Sequence, residues 1–132
     1  MKTKDIKQKV IIPATPLDVY TALMDSKKHS AFTFSVCKIG KKEGSSYSAY
    51  DGYIIGKNVT LIPGKKIVQT WQPVDGAWPE DHFSEITFDL KATAAGTEIN
   101  FIHKNVPVNQ VEEFKKGWPE NYWEPLKIYF TQ

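Results

Sequence analysis

Near the end of the chain the large apolar residues Val111, Phe114, Trp118, Tyr122, Leu126 and Tyr129 recur in steps of three or four. That spacing places them on one side of an α-helix. Lys116, Glu120, Glu124 and Lys127 fall on the opposite side, and Lys115 is the one charge on the stripe. A helix over residues 110–130 would be about 30 Å long. Gly117 weakens it, and Pro119 and Pro125 each remove a backbone donor. The expectation is a bend over residues 116–119, or two helical pieces with Pro119 in the first turn of the second. Residues 120–124 contain no breaker and are expected to stay regular.

Upstream the pattern shortens to period two. Val10, Ile11 and Ile12 end a first strand, and Pro13 closes it. Thr15 reads as an N-cap, with Pro16 at the first helical position and Asp18 in the first turn. A short helix is predicted over residues 16–25, with Leu17, Tyr20, Leu23 and Met24 as its buried stripe. A second helical turn follows over residues 29–34, held down by Phe32 and Phe34. From Cys37 on, short strands alternate with turns: residues 46–50, 53–62, 66–72, 83–92 and 97–104, with a loop over residues 73–81. In the last two strands Ile86, Phe88 and Leu90, then Ile99, Phe101 and His103, share one face. The predicted fold is α+β: an antiparallel sheet of about six or seven strands, two short helices after the first strand, and a C-terminal helix covering the apolar face. At 132 residues this reads as one domain over residues 1–132.

Composition narrows the partners. The 17 basic residues are all lysine, and the formal net charge is +2. Without arginine there is no bidentate fork for phosphate or guanine, and nucleic acid is not an expected partner. No apolar run approaches the roughly 18 residues a membrane helix needs, so no membrane partner is expected. One cysteine, Cys37, and a charged N-terminus without a signal-peptide core point to the cytoplasm.

The candidate chemistry is sparse. Trp71, Phe88, Phe101, Trp118 and Tyr122 are expected to meet across the sheet–helix gap. There they either fill a core or line an apolar cavity that binds a hydrophobic small molecule. His103 shares their face, as a core histidine bonded to a neighbour or water, or as a polar group that orients a ligand. His29 and His82 fall in expected turns and make no metal-binding spacing with each other or with Cys37, which reads as a small buried hydrophobe. The loop containing Trp78 and His82 packs Trp78 on the sheet rim, or serves as a contact loop or lid. The carboxylate pairs Glu112-Glu113 and Glu80-Asp81 and the lysine doublets read as solvated surface. No phosphate loop, nucleophile elbow or dinucleotide fingerprint is present, so no cofactor and no catalytic residue is expected.

Five stretches in this order resemble a known family: IPATPLDVYTALMD, VTLIPGKKIVQTW, WPEDHFSEITFDL, GTEINFIHKNVP and GWPENYWEPLKIYF. Together they are similar to the START-like, or SRPBCC, helix-grip superfamily, and within it to the activator of heat-shock-90 ATPase homologue family. The resemblance implies a curved sheet gripping the C-terminal helix. It implies two uses. In larger co-chaperones a domain of this kind follows a separate N-terminal domain, and the pair stimulates a heat-shock-90 chaperone's ATPase. Single-domain relatives are taken to bind a hydrophobic small molecule between sheet and helix. Of these, the small-molecule role is the leading expectation, and the chaperone partner the alternative.

Overall fold

The elements run β1 (Thr3–Ile12), α1 (Pro16–Met24), α2 (Ser26–Thr33), β2 (Lys38–Ile39), β3 (Ser46–Ala49), β4 (Ile54–Ile62), β5 (Lys66–Pro73), β6 (Ser84–Thr93) and β7 (Gly96–Pro107), then the C-terminal helical segment. The computed structural model describes residues 1–74, 78–79 and 81–132. Part of the loop expected over residues 73–81, including Glu80 of the Glu80-Asp81 pair, lies outside the described residues. The seven strands form one antiparallel sheet in the order β1-β7-β6-β5-β4-β3-β2. The α+β architecture is therefore as expected, with seven strands.

Local chemistry starts the first two helices. Thr15 Oγ1 accepts from the Asp18 backbone N–H at 3.2 Å, ahead of Pro16. Asp25 then ends α1 and caps α2, its carboxylate accepting from the Lys28 N–H at 3.0 Å. That shared cap starts α2 at Ser26, earlier than the predicted turn. Two expected anchors are misplaced. Leu17 is 58% exposed, and Val19 and Ala22 take the buried positions beside Leu23 and Met24. Phe34 is 90% exposed and sits in the left-handed region (φ 55°, ψ 35°) as the residue that ends α2. Leaving the helical conformation there turns its side chain away from the Phe32 face.

The sheet's register builds the floor under the C-terminal helix. One row across the strands reads Gln8–Phe101–Phe88–Ile67, and the next Ile6–His103–Ile86–Gln69. Gly56 on β4 is required by close approach: an added Cβ would lie 1.9 Å from the Thr70 carbonyl oxygen and 2.7 Å from Tyr47 Cε1. The buried core gathers residues from every strand, from α1 and α2, and from the C-terminal segment.

The C-terminal segment runs from a 3-10 turn (Val108–Gln110) into α3 (Val111–Trp118), a π-helical turn (Pro119–Trp123) and α4 (Glu124–Phe130). Backbone angles at Trp118, Pro119, Trp123 and Glu124 are all right-handed helical, so the run is continuous. Residues 120–124 are thus not the regular α turn expected. The prolines explain this. In an α-helix the N–H of residue 119 would bond the carbonyl of 115, and that of 125 the carbonyl of 121. Both carbonyls find partners outside the helix: Gln8 Nε2 donates to Lys115 O at 2.9 Å, and the Tyr50 hydroxyl to Asn121 O at 2.7 Å. The wider turn lets the Glu124 N–H reach back to Pro119 O. It also brings side chains five apart onto one face. Trp123 stacks on Trp118 with ring centroids 5.9 Å apart, and its indole N–H donates to Gln8 Oε1 at 2.7 Å.

Candidate functional site

All six residues expected at the sheet–helix gap are buried: Trp71, Phe88, Phe101, His103, Trp118 and Tyr122. They do not all surround one space. The gap beneath the helix bordered by Trp71, Phe88, Trp118 and Tyr122, with Ile67, Gln69 and Ile86, holds only about 10 Å³. That is room for about one water molecule at most. Phe101 packs against Trp118 at 4.4 Å and Phe88 at 5.1 Å, which fills the volume directly under the hinge of the helix. Of the two alternatives, a filled core or a cavity, the centre of the sandwich is a filled core.

His103 is 0% exposed and belongs to a hydrogen-bonded chain through this core. The Trp118 indole N–H donates to His103 Nδ1 at 3.1 Å. An indole N–H only donates, so Nδ1 is the acceptor and Nε2 carries the proton. Nε2–H then donates to Ser84 Oγ at 2.8 Å, and Ser84 donates to the Trp71 carbonyl at 2.7 Å. Burial pushes the imidazole's pKa down to about 3. With no free position and no neighbouring carboxylate in the chain, His103 is a structural link between helix and sheet.

His29, expected in a turn, is a second buried link. Its Nδ1 faces the Leu23 carbonyl at 2.9 Å and so must donate, which makes Nε2 the acceptor for the Tyr122 hydroxyl at 2.8 Å. Burial lowers its pKa to about 4, against a smaller opposing effect of the Leu23 hydrogen bond. The Tyr122 phenol, deeply buried, is held well above its ordinary value by desolvation. The sheet and α2 thus hold successive turns of the C-terminal helix through neutral histidines. His82 donates to the Asn105 carbonyl at 2.8 Å, and Cys37 is buried. Among the described residues no group of three or more His, Cys, Asp or Glu side chains could hold a metal. Trp78 packs edge-on against Trp71 at 5.9 Å and near Phe114 at 5.7 Å, and its indole N–H donates to His82 O at 2.7 Å.

Open space lies at the side of the helix instead. A cleft of about 250 Å³ opens where the β3–β4 connection meets the Gly117 turn. Tyr50, Tyr53 and Ile54 form one wall, Trp71 the floor, and Phe114, Gly117, Trp118, Asn121 and Tyr122 the other wall. Trp71, Trp118 and Tyr122 of the expected site reach it; Phe88, Phe101 and His103 do not. Gly117 helps keep it open, since the closest atom a Cβ there would meet is Asn121 Nδ2, at 3.6 Å. Tyr50, Asp51 and Gly52 are successive residues with positive φ (50°, 56° and 86°). This left-handed run brings the Tyr50 hydroxyl to Asn121 O across the edge of the cleft.

Residues 13–131 match the model of a family described as "Activator of Hsp90 ATPase homolog 1-like protein". The chain belongs to this family. A relative from Dictyostelium discoideum, named activator of 90 kDa heat shock protein ATPase homolog, is 33% identical over 98% of this chain and 33% of its own length. The human activator of 90 kDa heat shock protein ATPase homolog 1 is 28% identical over 88% of the chain and 34% of its own length. The chain thus spans about a third of the length of these relatives. A crystal structure described as an HSP90 activator from Plasmodium falciparum shares the fold, with TM-score 0.87, 20% identity and 96% of each chain covered. In this member of the Hsp90-activator-like family, sequence reasoning missed Gln8, Trp123, Tyr50 and Tyr53 as partners of the helix hinge or cleft. Pro119 and Pro125 were the available signal, because each orphaned carbonyl requires a donor from elsewhere.

Proposed function

We propose that this domain docks on a heat-shock-90-type chaperone and raises its ATP turnover. The observation that carries the reading is that 98% of the chain aligns within a relative named as an activator of that ATPase. A docking role is also supported by surface chemistry. Phe34 is 90% exposed in a left-handed conformation that costs a bulky residue about 1–2 kcal/mol. Val36, two residues on, is exposed too, and its carbonyl accepts from the Asp51 N–H at 2.8 Å. Exposed apolar groups held at such a cost are candidates for contact with a partner. The single buried cysteine fits the reducing cytoplasm, where we place this activity.

The test adds the purified protein to a heat-shock-90 chaperone and follows ATP hydrolysis. Stimulation that Phe34→Ser weakens would support the proposal. The absence of both binding and stimulation would refute it. A second reading, binding of an apolar small molecule, is favoured by one observation: the aromatic cleft beside Gly117. The ligand would enter at the side of the helix, since the centre of the sandwich is filled.

A further inference from the structure

We infer that the cleft selects a neutral, planar aromatic molecule carrying a hydrogen-bond acceptor, and that the indole N–H of Trp71 is the group that recognises it. The inference rests on the small-molecule reading of the cleft. It starts from the four tryptophans. Trp78, Trp118 and Trp123 each donate their indole N–H to an acceptor inside the protein: His82 O, His103 Nδ1 and Gln8 Oε1. Trp71 has no such acceptor among the described residues, although it is only 6% exposed. Yet no fully enclosed side-chain nitrogen or oxygen lacks a partner among those residues. The Trp71 N–H therefore reaches open space. Among the described residues Trp71 borders a gap of about 10 Å³ and the cleft of about 250 Å³, and of these the cleft has room for a ligand.

The walls define the rest of the ligand. Tyr50, Tyr53, Phe114, Trp118 and Tyr122 offer aromatic surface, and no charged side chain is among the described lining residues. An ion would lose its hydration there without a counter-charge, so the ligand is neutral. The Tyr122 and Tyr50 hydroxyl hydrogens are already given to His29 and Asn121 O. The Trp71 N–H is the donor on the floor, with the Tyr53 hydroxyl on one wall and the Asn121 amide at the exposed rim. A volume of about 250 Å³ falls just below the usual ligand-pocket range of roughly 300–1,000 Å³, enough for one or two fused rings.

Quinoline and naphthalene test this directly, because they share a shape and differ by one ring nitrogen. Each is titrated into the full chain at pH 8, up to its solubility limit, with the indole N–H resonances followed by NMR. Quinoline is expected to bind roughly three- to tenfold tighter, the range of one net hydrogen bond. It is also expected to shift the Trp71 indole N–H resonance, which naphthalene leaves without a new partner. In Trp71→Phe the preference disappears while naphthalene affinity stays within about twofold, the change expected when a donor but not an apolar wall is lost. Equal affinities in the unaltered protein, with no selective Trp71 shift, would overturn the donor assignment and leave the cleft reading standing. Failure of both compounds to bind would overturn both. The wild-type comparison decides the matter even if Trp71→Phe folds poorly.

Discussion

Replacing Trp118 with alanine removes the side chain on which the helix hinge rests. Trp118 is 4% exposed and lies within 6.3 Å, centroid to centroid, of Trp71, Phe88, Phe101, His103, Tyr122 and Trp123. Truncating a buried tryptophan costs about 3–5 kcal/mol through lost transfer energy and the cavity left behind. The change also strips His103 Nδ1 of its donor, and an unmet buried acceptor costs about 1–3 kcal/mol more. Trp118 borders the cleft, so water can enter part of the vacated space and reduce that second cost. The expected loss is about 4–6 kcal/mol, a large share of the roughly 5–15 kcal/mol that holds a typical domain folded. Trp118→Phe separates the two contributions. It keeps most of the apolar volume and loses the indole N–H with a small part of the ring, for an expected loss of about 1–3 kcal/mol. Urea denaturation followed by far-ultraviolet circular dichroism measures both. A loss below about 1 kcal/mol for Trp118→Ala, the range of ordinary surface substitutions, would refute the packing described here.

Other consequences are equally direct. Gln8→Ala leaves both the Lys115 carbonyl and the Trp123 N–H without partners and should cost about 1–3 kcal/mol; Tyr50→Phe, which loses one hydrogen bond to Asn121 O, should cost about 0.5–1.5 kcal/mol. If denaturation finds both neutral, the proline-orphaned carbonyls do not depend on them. The buried histidines set a pH dependence. Folded-state values near 4 for His29 and 3 for His103 lie below the ordinary 6.5, so between those limits the unfolded chain binds protons that the folded chain refuses. Stability should therefore be full above pH 6.5 and fall on acidification, by up to about 1.4 kcal/mol per pH unit for each histidine. Denaturation between pH 6.5 and 5, above most carboxylate titrations, reads this slope. His103→Gln should reduce it by about half, and a flat profile in the unaltered protein would contradict neutral burial. Phe34→Gly relieves the left-handed strain and should leave stability unchanged or raise it by up to about 1 kcal/mol, while weakening chaperone stimulation. A marked loss of stability would mean that Phe34 packs against the fold.

Much of the architecture could be read from local patterns, because local rules govern it. The Thr15-Pro16 start of α1, the alternation in β6 and β7, and the helical stripe from Val111 to Tyr129 depend on residues a few positions apart. The errors arise at a helix end and where distant parts of the chain decide. Phe34 looked like an anchor by hydrophobicity, but the turn that ends α2 points it outward. His29 carries no local mark of its pairing with Tyr122, which lies 93 positions away in the chain.

By itself the sequence determined the α+β class, the amphipathic C-terminal segment and the faces of its strands, since period and capping are properties of neighbouring residues. It also marked residues 116–125 as irregular through Gly117, Pro119 and Pro125. Only the tertiary structure decided how that irregularity resolves. Gln8 on the edge strand β1 and Tyr50 in the β3–β4 connection meet the two freed carbonyls, and the resulting π turn brings Trp123 into the core. Phe101 and Phe88 then fill the centre, and the open space along the helix lies beside Trp71. Whether aromatic side chains fill a volume or enclose one depends on sub-ångström packing between remote elements.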